Sequence, residues 1–368
     1  MTNFEKNIVV NSRSVQIHFF RKIAFRCNHN RKIEFVVVGY VDGLVIILDE
    51  AGLQYGLKCE SAITGISFAC CGQEHKIAVS ITALDKLYVY DYNNGFFDKE
   101  PTTIFDSHEG RALDVAWVRE NNEDILITCD ERGNIYRRKG NILKNNISTS
   151  IFRAHRKAAL RLLPFIYKDN SVFLTFSDDR NVLIHNVYSD EIIQSYDLNN
   201  GWVDNVFLLE NNGQVNTICI SDRVGILLWD ICERKFLFRF PFFVTTNFSH
   251  WRLDDTIEYI VVGSQDKYLL LKKTVDKVEP FIYSNKYNIR AISFLQENNI
   301  NNKTPSILLG FENKIYLQGV DELLNNEILI TESFISKFDS PILTMFEWSR
   351  KNGYLILLED GNVYSLFL

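Results

Sequence analysis

Short apolar runs alternate with short polar clusters along the whole chain, and the alternation repeats as a unit. Eight segments share one pattern, an apolar strand, a turn carrying an acid and a second apolar strand: VVVGYVDGLVIILD, IAVSITALDKLYVYD, ILITCDERGNIY, VFLTFSDDRNVLIHN, TICISDRVGILLWD, YIVVGSQDKYLLL, ILLGFENKIYL and LILLEDGNVYSLF. The turn acids are Asp42, Asp85, Asp130, Asp179, Asp222, Asp266, Glu312 and Asp360, spaced 43 to 49 residues apart. A period of that size belongs to propeller blades or helical arrays. Two further strand-like runs accompany each hairpin, one before it, such as ITGISFA, LDVAWV and IRAISFL, and one after it, such as TTIFDS, TSIFRAH and KFLFRFPF. Brief runs rich in Val, Ile, Phe and Tyr, bounded by Asn, Asp and Gly, predict strands. The clusters NNGFF, NNED, LNNG and ENNINNK interrupt the chain too often for helices, and no helix is predicted.

Four strands per repeat predict an all-β chain, a single closed β-propeller domain over 1–368 with eight four-stranded blades, seven being the next choice. The last repeat stops after GNVYSLFL, its third strand, which would leave an outer edge uncovered. Residues 7–13, NIVVNSR, can supply the missing strand, so the N-terminus is expected to complete the C-terminal blade.

Composition narrows the class. In 368 residues, 46% are hydrophobic and 13% aromatic, enough for a large core, and the net charge of -6 gives no global attraction to nucleic acid or anionic membrane. Cys27, Cys59, Cys70, Cys71, Cys129, Cys219 and Cys232 contain no CxxC pair, which predicts that most are buried, reduced thiols without a metal. The N-terminal residues mix charge into the segment and no stretch approaches the roughly 18 apolar residues of a membrane span. A cytoplasmic or nuclear protein without membrane insertion is expected.

The segment Ser221-Asp222 followed by Gly225-Ile226-Leu227-Leu228-Trp229-Asp230 resembles the signature hairpin of the WD-repeat family. Other repeats carry Leu48-Asp49, Tyr90-Asp91 or His185-Asn186 at the Trp-Asp position, while His108 and His155 stand where the family places its Gly-His histidine. The resemblance implies a degenerate WD-repeat propeller. It also implies a buried tetrad of His, Ser or Thr, turn Asp and Trp, of which no repeat retains all four residue types, so that apolar packing is expected to stiffen the blades. ITCDERGNIY, with SDDRNVLIHNV and its preceding AH, is similar to the WD-repeat partner subunit of the tRNA guanine-N7 methyltransferase, although Val182, Leu183 and His185 stand where that family is basic.

Candidate chemistry is sparse. The turn acids recur once per blade and each suits its own turn, which makes them structural. His18, His29, His75, His108, His155, His185 and His250 have no metal-ligand spacing, and no GxSxG, Walker or dinucleotide motif occurs. No catalytic residue, metal, cofactor or small-molecule substrate is predicted. Arg137, Arg138, Lys139, Lys144, Arg153, Arg156, Lys157 and Arg161 form a basic run without an intervening acid, the candidate interaction patch. The aromatic segment FLFRFPFFVTTNFSHW, 236–251, is read as inter-blade packing, with an apolar partner surface as its competitor.

The expected function is a non-catalytic protein-interaction scaffold, a subunit of a eukaryotic multiprotein complex whose partners are other protein subunits. One alternative is a non-catalytic subunit of an RNA-modifying or ribosome-building assembly that contacts RNA through 137–161. A second is an enzyme whose active site lies in a propeller channel.

Overall fold

The computed structural model describes residues 6–10, 17–26, 32–49, 53–71, 76–93, 96–106, 108–120, 123–144, 146–198, 202–211, 214–242, 248–254, 256–264, 267–274, 277–284, 289–295, 305–325, 335–348, 353–360 and 362–367. Each repeat folds into an antiparallel sheet, in seven of the eight with strands paired in chain order, and the eight sheets are the blades of a β-propeller. Blade 1 comprises Ile17–Arg26, Lys32–Tyr40, Leu44–Leu48 and Gln54–Lys58. Blade 2 comprises Ile63–Cys71, Lys76–Ala83, Lys86–Asn93 and Thr103–Phe105, with Phe96–Phe97 also paired to its third strand. Blades 3 and 4 are Ala112–Glu120, Glu123–Asp130, Asn134–Asn141 and Asn146–Arg153, then Ala159–Tyr167, Asn170–Ser177, Asn181–Asn186 and Ile192–Asp197. Blade 5 is Val203–Asn211, Gln214–Asp222, Gly225–Asp230 and Lys235–Phe240; blade 6 is Phe248–Arg252, Glu258–Gly263, Lys267–Lys273 and Val278–Ser284. Blade 7 is Ile289–Leu295, Ser306–Phe311, Lys314–Gly319 and Ser336–Lys337.

Blade 8 holds Ile342–Trp348, Gly353–Leu358 and Val363–Phe367, and its fourth strand is Lys6–Val10, antiparallel to the third with Ile8 opposite Tyr364. The expected N-terminal completion is therefore present over 6–10; residues 11–13 lie outside the described residues.

The contacts divide the chain into two compact units, 15–216 and 1–14 with 217–368. In the first, apolar clusters lie between blades 1 and 2 (Phe35, Val37, Ile66, Phe68, Tyr90), 2 and 3 (Val89, Trp117, Leu126) and 3 and 4 (Ile127, Leu162, Phe173). In the second they lie between blades 6 and 7 (Tyr259, Leu270, Phe294) and 7 and 8 (Leu308, Ile342, Ile356). Second and third strands such as Glu123–Asp130, Asn170–Ser177 and Asn181–Asn186 are covered on both faces, which is why they read as unbroken apolar runs. The outer strand Gln54–Lys58 has one exposed face and alternates, whereas Asn146–Arg153 is exposed along most of its length.

The first strand of six blades carries a bulge at the same place, between Ile17 and Phe19, Ile63 and Gly65, Ala112 and Asp114, Ala159 and Arg161, Ile289 and Ala291, and Ile342 and Thr344. The extra residue leaves the ladder and can serve another contact. Thr64 does so, its hydroxyl lying 2.6 Å from the carbonyl oxygen of Ala112 in the next blade.

Two short helical elements depart from the sequence reading, the 3-10 turn Ile142–Lys144 after the third strand of blade 3 and the helix Val320–Leu324 after the third strand of blade 7. Glu322 accepts hydrogen bonds from the Gly319 N–H and Gln318 Nε2, while Val320 and Leu323 enter the core. Each element is too short to imprint a helical period on the sequence.

Candidate interaction surface

Local turn chemistry comes first, because it positions the basic run. Asp130 accepts from the N–H groups of Arg132 and Asn134, from Asn134 Nδ2 and from the Tyr136 hydroxyl. Gly133 follows at φ +85°, and a Cβ there would lie 2.4 Å from the His155 carbonyl oxygen. Only glycine suits both the left-handed backbone and the close approach. Asp42, Asp179, Asp222 and Asp360 likewise accept turn N–H groups, from Leu44, Asn181, Val224 and Asn362. Asp85 contributes its carbonyl oxygen to His108, and Glu312 its carbonyl to the Ile342 N–H. Asp266 lies outside the described residues.

Beneath these turns run two hydrogen-bonded relays. In blade 4, the His155 Nδ1 lies 3.2 Å from the Asp179 carboxylate and its Nε2 lies 2.8 Å from Thr175 Oγ1, which in turn lies 2.8 Å from His185 Nε2. The carboxylate fixes the proton of His155 on Nδ1, so Thr175 donates to His155 Nε2 and His185 Nε2–H donates to Thr175. In blade 3, His108 Nδ1–H donates to the Asp85 carbonyl at 2.9 Å, and its Nε2 accepts from Thr128, 2.7 Å away. Arg138 Nη1 then donates to Thr128 at 2.8 Å. The order is the same in both, donor to threonine to histidine to acceptor.

His185 and Arg138 occupy the place, ten residues beyond the threonine, at which Trp229 stands relative to Cys219 in blade 5. The expectation that no repeat keeps all four residue types holds for identity, but the bonded network survives because another N–H replaces that of tryptophan. Burial pushes all three imidazoles toward the neutral form, His108 to about 4 and His185 to about 3, and His155 in the same direction despite Asp179. Burial works against ionisation of Asp179, but the Arg156 N–H, His155 and the Asn181 N–H outweigh it and hold the carboxyl below its usual range.

The eight basic residues do not form one surface. Period-two alternation along Asn134–Asn141 sends neighbouring side chains to opposite faces. Arg138 is fully buried, its guanidinium 5.2 Å from the Phe105 ring of blade 2 and 5.5 Å from that of Tyr136. Arg137 is 3% exposed on the face toward blade 4, where it binds Asp190 at 3.1 Å and the Ser189 carbonyl at 2.6 Å. Neither presents its charge freely to solvent. Lys139 is half-buried over the Tyr188 ring at 4.7 Å, and Lys144 is exposed just beyond the same strand.

Arg153, Arg156 and Lys157 are exposed at the other end of that strand pair, as the register Asn134 to Arg153 and Asn141 to Asn146 requires. At about 3.4 Å per residue the two ends are roughly 20 Å apart. Arg153 Nε donates to the His155 carbonyl, and Lys157 Nζ lies 5.1 Å from the ring of Trp202, itself 38% exposed. Arg161 is half-buried on the first strand of blade 4, within electrostatic reach of Arg21. Sequence reasoning missed Asp114, buried on the first strand of blade 3, which accepts from the Leu162 N–H at 3.0 Å and lies 4.0 Å from Arg21.

In the aromatic segment, Phe236 is 43% exposed, Phe238 and Phe240 stack at 5.9 Å, and Phe242 is buried; residues 243–247 lie outside the described residues. Cys59, Cys129 and Cys219 are buried free thiols, and burial pushes Cys59 up to about 11. Among the described residues, no cluster of three or more His, Cys, Asp or Glu could hold a metal, and no helix is long and apolar enough to cross a membrane.

No family model and no curated protein matches this chain. Solved structures do resemble it. The crystal structure of Saccharomyces cerevisiae Sqt1 superposes with a TM-score of 0.63 at 10% identity, over 90% of this chain and 92% of that one. BamB from Moraxella catarrhalis gives 0.58 at 11% identity, over 95% and 98%, and the computationally designed Ika8 protein gives 0.62 at 15%, over 98% of each. At these identities the likeness is one of architecture, and it agrees with the eight sheets: the fold is a β-propeller.

Proposed function

We propose that this chain is a non-catalytic interaction scaffold, a subunit that presents the exposed loops and strand ends of blades 3 and 4 to other proteins. The observation that carries this reading is the division of labour at 137–161. Arg137, Arg138 and the histidine relays are tied into the blades, leaving Arg153, Arg156, Lys157 and Trp202 as projecting groups on a stiffened base. Arginine and tryptophan on a preorganised surface are residues that contribute strongly to protein interfaces. His155, Thr175, His185 and Arg138 are joined by hydrogen bonds that serve the blades themselves, which supports a structural reading of these buried groups.

Affinity purification of the tagged full chain from its own cells tests the proposal. A defined set of proteins should co-elute at low and moderate salt, and the triple charge reversal R153E/R156E/K157E should deplete at least one while leaving the melting temperature unchanged. Failure to recover any stoichiometric protein overturns the reading.

Binding to RNA is a second reading, favoured by the same exposed cations. With two of the eight basic side chains buried, an RNA contact would rest on few phosphate-binding groups and weaken steeply with salt. RNA recovered only at low salt and lost in the triple variant would establish it.

A further inference from the structure

The outer face of blades 3 and 4 contains a polar cavity of about 410 Å³. Its floor follows from register. Arg137 is opposite Ser150 and Lys139 opposite Ser148 on the two outer strands of blade 3, so period-two alternation brings these four side chains to one face. Tyr188 and Asp190, beyond the third strand of blade 4, complete the wall. Arg137 is buried against the Phe152 ring, 5.2 Å away, and its Nε has no hydrogen-bond partner among the described residues. Lys139 extends along Tyr188, its Nζ 3.4 Å from the Tyr188 carbonyl. The single acid is Asp190, whose carboxylate lies 3.1 Å from Arg137 Nη1 while its side chain remains 61% exposed. The cavity thus already holds one carboxylate on its guanidinium, from a side chain that borders solvent.

We propose that this cavity accepts the phosphoryl group of a phosphorylated partner peptide, with Asp190 as the intramolecular anion it displaces. Two cations and the hydroxyls of Ser148 and Ser150 supply more donors than a carboxylate's two oxygens require. A phosphoserine carries a charge near -2 and three acceptor oxygens, which suit a site of two cations once Asp190 has moved away. The adjoining outer strand Asn146–Arg153 is exposed along most of its length and contains no proline, so an extended peptide can lie beside it with one side chain in the cavity. The assignment rests on the scaffold reading, for which it specifies the partner's chemistry.

The test uses the full chain and a short alanine-based peptide with one central phosphoserine, its unphosphorylated twin, inorganic phosphate and oligouridylate, each titrated calorimetrically. The phosphopeptide should bind at least about tenfold more tightly than the twin and than inorganic phosphate, as charge-assisted hydrogen bonds plus peptide contacts require. K139M keeps the stem on Tyr188 but removes the charge, and should abolish most of that preference; D190N should tighten phosphopeptide binding several-fold. Arg137 is buried and its replacement endangers folding, so the variants at half-buried Lys139 and exposed Asp190 decide the matter, with melting curves confirming both fold.

Equal binding of the two peptides, or a preference unchanged by K139M, overturns the proposal. Inorganic phosphate binding as tightly as the phosphopeptide reassigns the cavity to free phosphate, and oligouridylate binding more tightly reassigns it to nucleic acid; either refutes the peptide assignment. Co-purifying proteins with no phosphopeptide preference would refute this inference alone, while phosphopeptide binding without any co-purifying protein would refute the scaffold reading alone.

Discussion

Thr175 carries two buried imidazoles on one hydroxyl, accepting from His185 and donating to His155. Thr175→Val keeps the shape and strands both rings, so it should cost about 2–3 kcal/mol, read as a lowered midpoint in urea denaturation. The same rings set an acid limit. Once unfolded, His108, His155 and His185 titrate near 6.5, whereas in the folded chain burial keeps them neutral to lower pH, to about 4 for His108 and about 3 for His185. The unfolded chain therefore takes up protons first as pH falls. Their contribution is fully present above about 6.5 and is lost progressively below it, by about 1.4 kcal/mol per pH unit for each ring until its folded value is reached. The melting temperature should thus drop between pH 6.5 and 4.5. His185→Gln, which cannot titrate, should make that drop shallower; an unchanged slope would contradict neutral burial. The histidine positions were legible from the family pattern. Their surviving network was not, because the expected tryptophan is replaced by Arg138 and His185, unlike residues that share only a placed N–H.

At the scale of elements, the N-terminal strand is the most exposed dependency. Lys6–Val10 covers the outer edge of Val363–Phe367. Deleting residues 1–10 should lower the melting temperature and cause concentration-dependent self-association, measurable by light scattering, because an uncovered edge pairs with other chains. A synthetic peptide of residues 1–10 added in trans should reverse both effects. This strand, the eight hairpins and the two strands flanking each hairpin were readable because a blade's middle strands are apolar throughout and its turns are marked by an acid. The helix Val320–Leu324 was too short to read. The basic run misled for a simple reason: contiguity in sequence is dispersal on a strand, and alternation sent Arg137 and Arg138 into opposite inter-blade layers. The cavity at Lys139, Ser148 and Asp190 was illegible because its walls come from separate strands and blades, joined only by register.

For the whole molecule, the proposed partner contact lies on blades 3 and 4, while the carboxylates of Asp42, Asp130, Asp179, Asp222 and Asp360 are engaged by the N–H groups of their own turns. Sequence alone could support the propeller far better than the surface, since the repeat is written eight times and a binding face only once. The most direct test is cross-linking mass spectrometry of the full chain with its co-purified proteins, using a lysine-reactive linker. Cross-links to partners should concentrate at Lys139, Lys144 and Lys157. Cross-links confined to the exposed lysines of other blades, such as Lys58, Lys267 and Lys277, would contradict the assignment of blades 3 and 4 as the interaction surface.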